Sequence, residues 1–252
     1  MDKNSEKLIE KFKEIAEKGW VKGISTSWGN NGLTFEHELG KAPDSKYKPD
    51  FKDIEIKCAS RYSRYPMFLF TIAFDGPNEN EIQRITNKYG YCDPEFPTQK
   101  VIFRKIDNEI NKENKYSFIF DIDKIRRKIF LCIFDSNGDL IERKSYVKFS
   151  SIKKHLYTKL KKMAYVKASK KKIGEINYYR YYSIYLYYLK DFKTFLKLIK
   201  NGELEITLIS RISKSGEDKG RYRNKNIEFA IKKENINLLF ECYVQFNHDI
   251  YY

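Results

Sequence analysis

The chain has 252 residues, of which 41% are hydrophobic and 16% aromatic; this is enough to bury a core and too apolar for a disordered basic tail. Lys and Arg number 49 against 34 Asp and Glu, a net charge of +15, which points to a polyanionic partner. A mean hydropathy of −0.66 with no long uncharged apolar run leaves no membrane span. The first residues, Met1 to Lys7, lead into a charged amphipathic pattern and not a signal core, so an intracellular protein is expected. Leu8, Ile9, Phe12, Ile15 and Ala16 recur at helical spacing between a cap at Ser5 and a stop at Gly19. Residues 22 to 32 read as a Gly-, Ser- and Asn-rich loop, after which Thr34 caps a short helix carrying Phe35, Glu36 and Leu39 to Gly40. Strands are expected at about 53 to 58 and over Met67 to Ala73, then a polar helix to Tyr89. Further strands follow near 100 to 105, 116 to 122, 128 to 134 and 140 to 148, the last two joined by a tight turn at Asn137-Gly138. A helix capped by Ser150 or Ser151 buries Ile152, Leu156 and Leu160, and another from Asp191 to Asn201-Gly202 buries Phe192, Phe195, Leu196 and Ile199. The fold class is mixed α/β.

Cys58, Cys92, Cys132 and Cys242 form no C-x-x-C pair, so reduced and mostly buried thiols are expected. His37, His155 and His248 lack the spacing of a histidine zinc site. Chemistry concentrates instead in Pro49-Asp50-Phe51-Lys52-Asp53-Ile54-Glu55-Ile56-Lys57. A strand here places Asp53, Glu55 and Lys57 on one face and Ile54, Ile56 and Cys58 in the core. Asp50, at a turn before it, can converge with Glu55 on a divalent cation; Mg²⁺ typically takes one or two carboxylates together with waters and phosphate oxygens. Lys57 would set an ammonium beside the attacking water or the charge that develops at phosphorus. The same alternation also describes a half-exposed strand with surface ion pairs.

Asn31-Gly32-Leu33-Thr34-Phe35-Glu36-His37-Glu38-Leu39-Gly40, then Lys48-Pro49-Asp50 and Asp53-Ile54-Glu55-Ile56-Lys57, resemble the MvaI/BcnI group of type II restriction endonucleases. These are relatives of the mismatch-repair nicking enzyme MutH within the PD-(D/E)XK nucleases. The resemblance is close over about residues 20 to 75 and weaker beyond. It implies a restriction-endonuclease-like core with a central mixed β-sheet flanked by helices, bilobed around a DNA cleft, in one nuclease domain over residues 1 to 252 with its catalytic motifs within 30 to 75. It further implies that Asp50 and Glu55 bind Mg²⁺ with the main-chain carbonyl of Ile56, that Lys57 is the catalytic lysine, and that Glu36 is an additional helix-borne acid. Glu38 is the fallback should Glu36 face the core. The implied activity is Mg²⁺-dependent, sequence-specific cleavage of double-stranded DNA by a monomer nicking each strand in turn. Such an enzyme works in the bacterial cytoplasm, where a cognate DNA methyltransferase protects host DNA without touching the nuclease. The alternatives are a MutH-like repair nickase and a non-catalytic DNA-binding module.

Residues 211 to 225 form a basic loop between two apolar strands, within an expected recognition hairpin over 203 to 231. Arg211, Lys214, Lys219, Arg221, Arg223, Asn224 and Lys225 are its candidate DNA contacts, since Arg pairs with guanine and Asn with adenine in the major groove. The relatives carry histidines at positions roughly matching Arg223 and Lys225, which leaves the target sequence open. Arg61 and Arg64, following the acidic strand, are candidates for gripping phosphates beside the scissile bond. Lys153, Lys154, Lys159, Lys161 and Lys162 read as a solvated helix face, the tyrosine run 178 to 188 as a core element in preference to a base-stacking platform, and Asp121, Asp123 and Asp135 as strand-end and turn residues.

Overall fold

The computed structural model describes residues 1–25, 29–41 and 48–248; Thr26, Ser27 and Trp28 of the expected loop lie outside the described residues. In chain order, α1 (Lys3–Glu17), β1 (Val21–Lys22), α2 (Asn30–Glu38) and β2 (Glu55–Ser60) come first. They are followed by β3 (Met67–Ile72), α3 (Glu81–Tyr89), β4 (Tyr91–Cys92), β5 (Lys100–Lys105), β6 (Tyr116–Asp123), β7 (Lys128–Asp135), β8 (Leu140–Lys148) and α4 (Phe149–Lys159). The last part holds β9 (Lys162–Ile173), β10 (Ile176–Leu189), α5 (Phe192–Lys200), β11 (Leu204–Ile212), β12 (Tyr222–Ile231), α6 (Ile236–Leu239) and β13 (Phe240–Asn247). These elements form two compact units, one of Met1–Tyr65, His155–Lys190 and Asn237–Tyr252, the other of Pro66–Lys154 and Asp191–Ile236.

The first unit is built on a mixed sheet in the order β1-β10-β9-β2, with β13 also paired to β10. The β2–β9 pair is parallel, Glu55 lying opposite Met163 and Lys57 opposite Tyr165, while the other pairs are antiparallel. Leu8, Phe12 and Ile15 of α1 and Phe35 of α2 pack with Ile54, Ile56, Val166, Tyr181 and Ile184 in one buried cluster. Tyr179, Tyr181 and Tyr187 of the tyrosine run are buried in β10, and Tyr181 donates its hydroxyl to the Asn31 carbonyl at 2.9 Å. Packing therefore accounts for that run, as expected. β9 is absent from the expected elements, because Lys167, Lys170, Lys171 and Lys172 obscure its apolar alternation.

Local chemistry shifts several boundaries. Asp2, not Ser5, caps α1, its carboxylate accepting from the Asn4 and Ser5 amides, while Ser5 is buried within the helix. The expected cap of α2, Thr34, lies inside that helix. It donates to Asn30 Oδ1 at 3.1 Å, and Asn30 also accepts from the Ser25 amide at 2.9 Å; the helix begins at Asn30, with Gly29 in the cap position. Gly23 lets the chain pass close to β10: its amide donates to Asn177 O at 2.8 Å, and an added Cβ would stand 2.9 Å from that carbonyl.

In the second unit an antiparallel sheet runs β3-β12-β11-β5-β4 and a separate meander runs β6-β7-β8. At the β7–β8 turn the side chain of Asp135 accepts from the amides of Asn137, Gly138 and Asp139, and Gly138 alone of the Asn137-Gly138 pair has positive φ. An Asx-type loop thus replaces the expected tight turn. Asp75 receives the Lys148 amide and the Ser151 hydroxyl, so α4 starts at Phe149 with neither serine as its cap. Along α5, Leu198 is buried in place of the expected Leu196, which is only half-buried. Among the cysteines Cys132 is buried and Cys58 half-buried, but Cys92 and Cys242 are exposed; all four are free thiols. Among the described residues no helix is long and apolar enough to cross a membrane.

Candidate active site

The acidic cluster forms in the first unit because the chain reverses sharply just before β2. Phe51 and Ile54 exchange backbone hydrogen bonds of 2.9 and 2.8 Å across Lys52, which takes φ of 56°. The expected strand from residue 53 is therefore a turn followed by a strand. Asp53, expected on the face of Glu55 and Lys57, instead pairs with Lys162 at 2.7 Å and accepts from Asn4 at 2.8 Å. The reversal folds Asp50 back onto the strand, so that Asp50 Oδ2 accepts the Ile56 amide at 3.0 Å. Ile54 and Ile56 anchor the turn and strand in the core at 0% and 5% exposure, fixing the side chain between them.

Glu55 is that side chain, and it is 4% exposed. Its Oε1 receives Lys57 Nζ at 2.9 Å, with Lys159 at 3.9 Å, while Oε2 is buried with no hydrogen-bond partner among the described residues. Burial raises the Glu55 pKa, and Asp50 adds to the effect against the opposing pull of Lys57 and Lys159. On α2, Glu36 points to the same place; its pKa is raised by burial and then by the charge of Asp50, and Glu55 contributes in the same direction. Lys41 lies between Glu36 Oε2 at 3.2 Å and Asp50 Oδ1 at 2.5 Å. Burial works against the charge of Lys41, but the bonds and charges of Asp50 and Glu36 outweigh it and raise its pKa. Glu38 is tied to Lys18 at 2.7 Å, so Glu36 is the acid of α2 that joins the cluster.

The structure thus gathers Glu36, Asp50, Glu55, Ile56 and Lys57. Lys41 and Lys159 join them, although sequence reasoning assigns neither to the site. Nothing distinguishes Lys159 from its neighbours in a lysine-rich stretch, and together with Lys162, which pairs with Asp2 and Asp53, it departs from the expected solvated face. For Lys41 the sequence carries a signal. Gly40 has φ of 79°, its amide donates to His37 O at 2.8 Å, and the Lys41 amide donates to Glu36 O at 3.0 Å. This is the Schellman ending that a glycine after a helix favours, and it returns the next residue over the last turn.

Hard carboxylate donors, one oxygen of them buried without a hydrogen-bond partner among the described residues, suit a divalent cation such as Mg²⁺. Among the described residues no three or more His, Cys, Asp or Glu side chains are grouped so that they could hold a metal ion by themselves. The carboxylates are instead held by lysines.

The basic candidates divide. Arg61 and Arg64 are exposed just after β2, and at about 3.3 Å per strand residue Arg61 lies roughly 20 Å along the chain from Glu55. In the second unit, β11 and β12 form the expected hairpin around a loop of residues 213 to 221, shorter than predicted because both strands extend into the basic stretch. A bulge opposite Ile209 and Ser210 leaves Lys225 out of register between Asn224 and Asn226, and Asn226 takes φ of 58°. Arg223 and Lys225 are exposed and outside every ion pair among the described residues, and Lys219 is exposed in the loop. Arg211 lies over the Phe103 ring at 5.1 Å. Arg221 pairs with Asp218 at 3.1 Å, and Lys214 is bound to Asp93 and Glu95. Asn224 is held by Ser210 at 2.6 Å and by Gln83 at 3.4 Å.

The model of the MvaI/BcnI restriction endonuclease family matches residues 9–240. Among solved structures, the complex of restriction endonuclease MvaI with its cognate DNA substrate matches with a TM-score of 0.87 at 26% identity, covering 97% of this chain and 99% of that one. Restriction endonuclease MvaI in the absence of DNA matches with a TM-score of 0.58 at 25% identity, over 96% of this chain and 97% of the other. Comparison with curated proteins gave no match. The family match spans most of both compact units, so the likeness belongs to the whole chain and not to the acidic motif alone.

Proposed function

This chain belongs to the MvaI/BcnI restriction endonuclease family, and from that premise we propose that it is a type II restriction endonuclease hydrolysing phosphodiesters within a short duplex DNA sequence with Mg²⁺. The observation that carries the reading is the buried Glu55, with one carboxylate oxygen lacking a hydrogen-bond partner among the described residues, set beside Asp50 and Lys57 by the turn before β2. Asp50 and Glu55 hold the ion with the main-chain carbonyl of Ile56. When bound, Mg²⁺ neutralises the phosphate, acidifies a water and steadies the leaving oxygen. Lys57 orients the attacking water and offsets charge at phosphorus, and Glu36 supports the ion or a water from the helix side. The products are a 5′-phosphate and a 3′-hydroxyl. The protein acts in the bacterial cytoplasm as a single bilobed nuclease domain and monomer, cutting the two strands in successive nicks, and a cognate methyltransferase protects host DNA. DNA is the substrate in the similar MvaI complex, and the net charge of +15 favours double-stranded DNA as the substrate here as well.

The test is incubation of the purified protein with unmethylated plasmid and genomic DNA and Mg²⁺. Linear products ending at one repeated sequence support the proposal. Accumulation of nicked circles without linear product supports a repair-type nickase, and binding with no cleavage under any divalent cation overturns the enzyme reading.

A further inference from the structure

We infer that Lys41 is a built-in cation that holds Glu36 and Asp50 together in the metal-free protein and must be displaced before the ion binds. The inference rests on the reading of Asp50 and Glu55 as metal ligands.

Asp50 has two carboxylate oxygens, and each has its own partner. Oδ2 is engaged by the Ile56 amide at 3.0 Å and fixes the carboxylate against β2. Oδ1 faces away from that anchor, and there it meets the Lys41 ammonium at 2.5 Å. The same nitrogen reaches Glu36 Oε2 at 3.2 Å, so a single positive charge spans the two carboxylates that would otherwise repel across a partly desolvated gap. Mg²⁺ takes carboxylate oxygens at about 2.0–2.1 Å. An ammonium on Asp50 Oδ1 takes up acceptor capacity of that oxygen and repels a divalent ion brought to the same place at short range, so the two compete for it.

The construction of Lys41 suits release. Its main chain is fixed by the helix ending, where its amide bonds to Glu36 O at 3.0 Å, but its side chain is joined to that anchor by a flexible stem and is 20% exposed. The ammonium can therefore swing into solvent while the backbone stays. Glu55 contrasts with this: its Lys57 partner uses Oε1 and leaves Oε2 without a hydrogen bond among the described residues. One side of the centre is thus open to an ion and the other is held by a removable charge. Ion binding becomes an exchange, and the measured affinity is the intrinsic affinity reduced by the fraction of molecules in which Lys41 is disengaged.

The experiment measures Mn²⁺ binding to the full chain without DNA, from the electron paramagnetic resonance signal of free Mn²⁺, at one pH and ionic strength. Wild type, Lys41→Met, Lys41→Gln, Lys41→Arg and Asp50→Asn are compared, with melting temperatures in the absence of metal and at saturation. Lys41→Met, or Lys41→Gln should the first variant fold poorly, is expected to bind Mn²⁺ about fivefold to tenfold more tightly, as engagement of the lysine in most molecules requires. The same variant melts below wild type without metal, and the gap closes when Mn²⁺ is saturating; Lys41→Arg stays near wild type. Unchanged or weaker Mn²⁺ binding by the neutral variants, with wild-type binding still lost in Asp50→Asn, overturns the role of Lys41 and leaves the metal reading intact. Absence of any Asp50-dependent Mn²⁺ binding in wild type and neutral variants alike overturns both.

Discussion

Single residues of the acidic cluster carry opposite demands of stability and chemistry. In its proposed role as a metal ligand Glu55 works as an anion, yet burial raises its pKa despite Lys57 and Lys159. Its ionised form therefore costs the folded state free energy at neutral pH, because the folded chain keeps the proton to a higher pH than the unfolded chain does. The sign follows: the penalty is fully present above the folded pKa, shrinks as pH falls through it, and vanishes below the unfolded value. Glu55→Gln should accordingly melt a few degrees above wild type at pH 7.5, at about 2–4 °C per kcal/mol for a chain of this size, with the advantage fading at pH 4. Cleavage by the same variant should fall by at least about 10²-fold, because losing a carboxylate ligand weakens the hold on the ion that would stabilise charge at phosphorus. Thermal melts at the two pH values and single-turnover cleavage at pH 7.5 check the two halves. A Glu55→Gln protein less stable at neutral pH would mean that the lysine pairs outweigh burial.

At the scale of elements, the hairpin of β11 and β12 shows how an expected element can hold its side chains in ways its residue types do not announce. Asn224 belongs by residue type with the base readers, but Ser210 and Gln83 hold its amide, whereas Arg223 and Lys225 project to solvent on either side of it. Asn224→Ala is therefore expected to cost about 1 kcal/mol of stability, the worth of a lost hydrogen bond, and to leave the cleaved sequence unchanged. Arg223→Ala should relax or abolish sequence preference, with a cost of about 1–3 kcal/mol if it pairs with a guanine. Sequencing of cleaved ends together with melting curves separates the two effects. The hairpin itself is legible because Leu204 to Ile209 and Ile227 to Ile231 alternate around a glycine-containing basic stretch. The bulge at Asn226 is not, since an extra residue in one strand leaves no mark on apolar periodicity. The site shows the same division. Asp50, Glu55 and Lys57 are legible from spacing and family pattern, whereas Asp53 leaves the predicted face because positive φ at Lys52 breaks the period of two. Lys159 reaches Glu55 through the parallel pairing of β2 with β9 and the turn from α4, a non-local arrangement that no window of sequence contains. β9 itself lies under a lysine run that reads as solvated until its partner strand is known.

For the whole molecule, the surplus of +15 becomes specific once basic residues are sorted by what already neutralises them. Lys41, Lys57, Lys159 and Lys162 answer acids within the first unit, and Lys214 answers Asp93 and Glu95 in the second. Their charge is largely spent inside the protein, so they release few counterions from DNA. Arg61, Arg64, Arg211, Lys219, Arg221, Arg223 and Lys225 are exposed, and the pair of Arg221 with Asp218 is solvent-exposed and weak. If each neutralises one phosphate, log Kobs against log salt in metal-free buffer has a slope of about −6, from roughly −0.9 per phosphate. Replacing Arg223 and Lys225 together by alanine should make that slope shallower by about 2, while Lys214→Ala should leave it nearly unchanged. Fluorescence anisotropy of a labelled duplex between about 50 and about 300 mM NaCl measures all three slopes. A wild-type slope near zero would assign the surplus to solvation, and a loss for Lys214→Ala equal to that of an exposed arginine would mean that DNA draws Lys214 away from Asp93.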